Sequence, residues 1–300
     1  MISTFAGKTI VVTGATSGIG LATAEALAQQ GAAVIGVGRA APRCQAAEQR
    51  LRDLYPNARV EYCVADLAQQ AEVRRLGETI RGMVAAAGRA SLDGLVNNAG
   101  AFTYWLTLTP EGFETQWAVN HLAPFLLTQA LLPLLQAAAR ARIVTVSSGS
   151  HYHTSLRWDD IQLRRNYNGL QAYNQTKLAN VLFTAELNRR LGPQSPVRAF
   201  AADPGLVNTD IGLKGTPALI QKLWALRRAG GIPAAEAARG ILFLLGEPAI
   251  QGSSQVYWKH GKPQPPSPQA LDTAAAGRLW ALSVQMCGES FRYLFSEEIP

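Results

Sequence analysis

Three hundred residues suffice for one large core, and a content of 48% hydrophobic against 16% charged residues excludes a disordered chain. The net charge of +7 is modest, with basic residues scattered or paired as in Arg74-Arg75 and Arg189-Arg190. That describes a solvated surface and, with no aromatic–basic module, argues against nucleic acid as a partner.

The segment Met1–Lys8 runs straight into an apolar strand without a secretory signature. Strands are expected at Thr9–Thr13, Ala33–Val37, Val60–Val64, Gly94–Asn97, Arg142–Val146 and Val197–Ala201, with a seventh near Val256-Tyr257. Between the early strands lie helix-length segments, Gly20–Gln30, Ala46–Leu54 and Glu72–Ala87. Alternation at this spacing implies βαβ crossovers, hence an α/β fold: a Rossmann-type doubly wound parallel sheet of about seven strands with helices on both faces. The apolar stretch Phe125 to Ala139 is interrupted by Thr128, Gln129, Pro133 and Gln136 and is too short to span a bilayer. The Pro-rich run from Lys259 to Pro266 leads into a last helix over about Ser267 to Met286. A single domain over 1–300 is expected, with a cofactor half to about 150, a catalytic half over about 151–258 and a helical tail over 259–300. Cys44, Cys63 and Cys287 are far apart, which suits a reducing, cytoplasmic compartment. His151-x-His153 has no further ligands beside it, so no metal is expected.

The first strand delivers Thr13-Gly14-Ala15-Thr16-Ser17-Gly18-Ile19-Gly20 and then a helix. Glycines let such a turn approach a pyrophosphate, and the helix N-terminus offers free N–H groups and a positive dipole end. The second strand ends Val37-Gly38-Arg39, with glycine where an NAD site places an acid and a cation directly after it. Arg39, with Arg43 as a second contributor, therefore points to the 2′-phosphate of NADP(H), while NAD(H) stays open.

Tyr173 and Lys177 stand at i and i+4, on one face of a helix. A nearby ammonium favours the phenolate, as would the positive ring of an oxidised nicotinamide, and a lowering of about two to three units would correspond to about 3–4 kcal/mol and fit the hydroxyl for proton transfer. An isolated pair of this kind is more often structural. Here it follows Thr13-Gly14-x-x-x-Gly18-x-Gly20, Asn97-Asn98-Ala99-Gly100, Asn120 and Ser147-Ser148, and precedes Pro204-Gly205. Six motifs in this order resemble the single-domain short-chain dehydrogenase/reductase family over nearly the whole chain. The run from Tyr173 to Phe183, the Asp203-Pro204-Gly205 segment and the tail around Trp280 resemble its retinol dehydrogenase-like branch.

The resemblance implies a catalytic set of Asn120, Ser148, Tyr173 and Lys177. Ser148 would orient the substrate oxygen toward Tyr173, with Ser147 the weaker candidate. Lys177 would bond the nicotinamide ribose, and Asn120 would hold a water linking Lys177 to solvent. The cofactor set it implies comprises Gly14, Ser17, Gly18, Ile19, Gly20, Arg39, Asp66, Leu67, Asn98, Ala99, Gly100, Tyr173, Lys177, Pro204, Gly205 and Thr209. Asp66 also suits a helix N-cap. The stretch of 25 residues from Ser148 to Tyr173 exceeds the family norm, and its extra part, His151–Gly169, makes a monomer or homodimer more expected than a tetramer. A lid over about 205–233, rich in apolar residues such as Leu219, Leu223 and Trp224, together with Phe102, Tyr104 and Trp105, implies a bulky apolar carbonyl or alcohol as substrate. The lid also offers a surface for peripheral membrane contact. A nucleotide-sugar epimerase or dehydratase is disfavoured by the glycine spacing, and a non-catalytic cofactor-sensing protein by the complete catalytic set.

Overall fold

The computed structural model describes residues 5–208 and 230–288. Short β-branched runs form a sheet in the order β3-β2-β1-β4-β5-β6-β7-β8. The strands are β1 (Thr9–Thr13), β2 (Ala33–Gly38), β3 (Val60–Val64), β4 (Gly94–Asn97), β5 (Ala141–Val146), β6 (Val197–Asp203), β7 (Tyr257–Lys259) and β8 (Lys262–Pro263). β1 through β7 pair in parallel, and every residue of β1 and β5 is buried, as a sheet covered on both faces requires. The order reverses between β1 and β4, which opens a crevice at the carboxyl ends of these strands.

The helices are α1 (Gly18–Gln29), α2 (Ala41–Leu54), α3 (Gln70–Ala86), α4 (Thr115–Trp117), α5 (Ala123–Gln136), α6 (Gly169–Leu191), α7 (Ala234–Gly246) and α8 (Thr273–Cys287). Residues of α3, α5, α6 and α8 build the core on one face of the sheet, and residues of α1, α2 and α7 build it on the other.

Three expectations are corrected. An eighth strand, β8, runs antiparallel to β7, because His260 (φ 50°) and Gly261 (φ 72°) form a two-residue turn with both φ positive, the geometry that closes a tight hairpin. The apolar helix is longer than its Phe125 start suggested. α4 and a π-helical turn, Ala118–Leu122, run continuously into α5, giving 22 residues from Thr115 to Gln136 with a mean hydropathy of 1.4. That length and composition would suffice to cross a membrane, but 83% of the apolar window is buried inside the protein, so the helix is a core element. Finally, the tail is divided: a 3-10 turn, Pro268–Leu271, precedes α8, and Asp272 caps α8 by accepting from Ala275 N at 2.9 Å.

Candidate active site and cofactor cleft

At the tip of β1, Thr13 organises the cleft. Its hydroxyl donates to the Val96 carbonyl (3.2 Å) and accepts the N–H groups of Asn98 and Ala99, both at 3.0 Å. The Asn98 amide in turn donates to the Thr13 carbonyl at 2.8 Å. This clamp joins the glycine turn to the end of β4. Gly14 adopts φ 68°, and a Cβ there would lie 2.9 Å from the Asn98 amide nitrogen, so the backbones meet as only glycine allows.

The residues present fit a dinucleotide. Ser17 precedes α1 without a side-chain capping bond, and the first turn of α1 carries no acid. The N–H groups of Gly18, Ile19 and Gly20 therefore stand at the positive dipole end of α1 with no competing side-chain cap, which suits a pyrophosphate. Arg39 and Arg43 are both exposed at the start of α2, whose N-terminus also lacks a side-chain cap. Leu67 and Ala99 line one recess beside Thr13, and Gly100 is exposed at the end of the β4 turn. Asp66 is a turn residue rather than an N-cap. Its carboxylate accepts from Ala68 N and the Gln69 amide, both at 3.2 Å, and the N-cap of α3 is Gln69.

Asn168 starts α6 by accepting from Gln171 N at 3.0 Å. One turn into this helix, Tyr173 and Lys177 share a face, with Lys177 Nζ 5.3 Å from the tyrosine ring centroid. Lys177 is buried, and Nζ donates to the Val146 carbonyl at the tip of β5 (3.0 Å). Phe102 packs edge-on against Tyr173 at 6.0 Å. Ser148, half-buried just past β5, caps the 3-10 turn Gly149–His153, accepting from Ser150 N at 3.2 Å. Ser147 is buried and points into the protein, donating to the Lys177 carbonyl at 2.8 Å.

The electrostatics of the pair depart from expectation. Burial pushes the Tyr173 hydroxyl above the ordinary tyrosine range, and the Asp203 carboxylate adds to that push. Burial also lowers Lys177, to about 8, against an opposing pull from Asp203. Loss of hydration is the largest cause for both groups. The Asn120 side chain is engaged within the protein. Its side chain accepts from Ala101 N (2.7 Å), and its two N–H donors go to the Ala101 carbonyl (2.9 Å) and the Thr176 hydroxyl (3.1 Å). It fastens the turn after β4 to α6, leaving no amide hydrogen for a water.

Pro204 and Gly205 follow β6 at the same edge of the sheet. Backbone bonds from Asn208 to Ile232 (3.1 Å) and from Ile232 to Leu206 (2.9 Å) join the two ends of the expected lid. Thr209 and the lid residues Leu219, Leu223 and Trp224 lie outside the described residues.

The extra segment 151–169 docks on the site's flank. Gln175 accepts from Arg157 N (2.8 Å) and donates to the Ile161 carbonyl (2.6 Å), and the Tyr167 hydroxyl donates to buried Glu114 (2.8 Å). His151 is fully buried, with Nδ1 bonded to the Ser148 carbonyl (2.8 Å) and Nε2 accepting Ser267 N (3.0 Å), so both ring nitrogens are engaged. Two residues that mattered were missed from sequence. Thr13 opens the glycine motif and Asp203 opens the Asp203-Pro204-Gly205 segment, but the sequence assigned neither side chain a role of its own.

The sequence matches the model of the short chain dehydrogenase family over residues 8–217. Retinol dehydrogenase 14 from Homo sapiens is 35% identical, over 94% of this chain and 87% of that protein. A crystal structure of a putative uncharacterized protein from Mycobacterium paratuberculosis superposes with a TM-score of 0.69 at 34% identity, covering 94% of both chains. A metagenomic short-chain oxidoreductase solved in complex with NADP gives a TM-score of 0.63 at 25% identity, over 88% of this chain and all of that one. With this fold, this cleft and these relatives, the chain belongs to the short-chain dehydrogenase family and is an NAD(P)-dependent oxidoreductase.

Proposed function

We propose that the protein interconverts a bulky apolar aldehyde or ketone and the corresponding alcohol with NADP(H), Tyr173 serving as the acid and base. The observation that carries this reading is the Tyr173–Lys177 pair, one helical turn apart with the ammonium 5.3 Å from the ring, beside Ser148 at the tip of β5.

In reduction, a nicotinamide held in the cleft would supply the hydride chemistry at the carbonyl carbon. Tyr173 gives its proton to the carbonyl oxygen as the C=O π bond becomes an O–H bond, and in oxidation it takes that proton back. Ser148 orients the same oxygen by hydrogen bonding. Lys177 retains two ammonium hydrogens beyond its bond to Val146; these suit the nicotinamide ribose hydroxyls. With its pKa near 8, Lys177 also returns a proton to Tyr173 at little cost near neutral pH. Gly14 and Gly18–Gly20 would hold the pyrophosphate, Asp66 and Leu67 the adenine, and Asn98–Gly100 and Pro204–Gly205 the nicotinamide half.

NADP(H) is preferred because Arg39 and Arg43 stand exposed beyond β2 with no acid in their place. The apolar substrate class is supported by the half-buried Phe102 on Tyr173, by the exposed Trp105 near it in the chain and Leu206 just past Pro204-Gly205, and by the retinol dehydrogenase named among the relatives. The test is purified protein with NADPH or NADH against retinoids, medium-chain aldehydes, aromatic ketones, steroids and small polyols. Turnover of an apolar carbonyl, faster with NADPH and lost in Tyr173→Phe, is expected; turnover confined to polyols would sink the substrate class, and an active Tyr173→Phe the mechanism.

A further inference from the structure

At the tip of β6 stands a carboxylate that the proposed chemistry does not use. Asp203 is 4% exposed. Tyr257 donates its hydroxyl to Oδ2 at 2.6 Å, and Gly205 donates its N–H to Oδ1 at 2.8 Å. Oδ2 also lies 3.5 Å from where a Cβ on Gly149 would be, directly beside Ser148. Ala202, the preceding residue, is the register partner of Val146 and accepts the Ser147 N–H at 2.7 Å. Val146 is the residue whose carbonyl holds Lys177. The carboxylate and the ammonium therefore occupy adjacent strand tips on the same side of the sheet.

We propose that Asp203 is a positioning residue for the reaction: its buried carboxylate, held by Tyr257 and Gly205 at the strand tip next to the one that holds Lys177, sets the charge environment of the Tyr173–Lys177 pair. The consequence is a wider pH range for carbonyl reduction. The inference rests on Tyr173 being the acid and base. An enzyme cannot move the overall equilibrium, but it sets the pH at which each direction runs. A buried negative charge opposes formation of a second one, the Tyr173 phenolate that oxidation needs, and favours the positive Lys177.

The groups facing Asp203 come from every element around it. α6 contributes Tyr173 and Lys177, and β7 contributes Tyr257 and its register partner Lys259, whose side chain is exposed. The turn after β5 contributes His151 and Tyr152, and the β7–β8 turn contributes His260, whose ring lies against Gly205. His151 cannot take up the charge cheaply, because burial lowers its pKa and its Nε2 is occupied by Ser267. Lys177 is then the one cation among these that is buried at the site.

The test is the pH profile of kcat in both directions for the full-length protein, with the best substrate of the screen. Asp203→Asn preserves the acceptor for Gly205, and Asp203→Ser serves as a smaller neutral variant should asparagine disturb the turn. Removing one buried unit charge from the neighbouring strand tip, at an effective dielectric near 20, corresponds to a shift on the order of one pH unit. Both neutral variants are expected to lose reduction, and gain oxidation, about one unit lower in pH than wild type. Tyr257→Phe retains the charge and is expected to keep the wild-type profile. Superimposed profiles for wild type and the neutral variants, with Tyr173→Phe inactive, overturn the inference alone. So does a Tyr257→Phe profile displaced as far as that of Asp203→Asn, which would assign the effect to packing. An active Tyr173→Phe removes the reading beneath it, and the inference falls with it.

Discussion

Gly38 lies so close to Thr16 that a Cβ on residue 38 would stand 2.4 Å from the threonine methyl and 2.7 Å from Cys44 Sγ. The end of β2 thus closes against the glycine turn, and glycine at 38 is required by contact. Gly38→Asp, the change that would nominally install an NAD-type acid, is expected to destabilise the fold by about 1–3 kcal/mol through overpacking. It should weaken NADPH and NADH together, because the turn that holds the pyrophosphate must shift. Arg39→Ala is expected to behave differently. Loss of a charge-assisted bond to the 2′-phosphate should weaken NADPH by about tenfold to a hundredfold and leave NADH almost unchanged. Fluorescence titration of both cofactors, with a thermal melt for each variant, separates the two effects.

His121, next to Asn120 on the π-helical turn, gives the fold an acid-sensitive point that the proposed chemistry does not use. It is fully buried between α5 and α8, with Nε2 2.8 Å from the Ser283 hydroxyl, and burial lowers its pKa to about 3. Between about 3 and the ordinary value of 6.5 the unfolded chain binds a proton that the folded chain does not. Stability therefore rises with pH across that window and is lost as pH falls through 6.5. From this group alone the protein is expected to be about 2 kcal/mol less stable at pH 5 than at pH 7. Urea unfolding at the two pH values checks it, with His121→Gln expected to flatten the difference; an equal slope in that variant would place the acid sensitivity elsewhere.

Where local chemistry determined local structure, the sequence was legible. The apolar runs of β1, β3 and β4 and the glycine turn fell where β-branched residues and Gly14 to Gly20 placed them. The start of α2 was missed by five residues: Pro42 lies in its first turn, where proline is tolerated. The roles of Asn120 and Asp203 were not legible for a different reason. Asn120 is fixed by partners at 101 and 176, and Asp203 by Tyr257, 54 residues away in the chain. Hydrogen bonds of that reach belong to the tertiary fold. The direction of the Tyr173 shift depended likewise on how much water the folded site excludes.

Gln175 sits between Tyr173 and Lys177 in sequence and faces the added segment. Its amide bonds Arg157 N and the Ile161 carbonyl, and the residue is 1% exposed. Gln175→Ala would leave both backbone groups without their partner, at a cost of about 1–3 kcal/mol for each that stays buried. The expected outcome is a lower Tm and faster proteolysis within 151–169. KM for the substrate should rise more than kcat falls, because the pair on α6 keeps its own contacts. A kcat loss with KM unchanged would contradict this division.

Trp280 anchors α8 to the rest of the core. Its ring meets Phe125 edge-on at 5.0 Å and stacks on Phe183 at 6.0 Å, and the Arg190 guanidinium covers it at 4.6 Å. With 6% of its surface exposed, it links helices from three separate parts of the chain. Truncation to alanine removes the indole and leaves a cavity that two phenylalanines cannot fill, costing about 3–5 kcal/mol. The loss of α8 would also uncover the faces of α5 and α6 that carry Phe125 and Phe183. Trp280→Ala is therefore expected to lower Tm sharply and to associate, whereas Trp280→Phe, which keeps an aromatic body, should recover most of the stability. Calorimetry and size-exclusion chromatography measure the two, and a Trp280→Ala protein as stable as wild type would show that α8 does not hold the helical layer together.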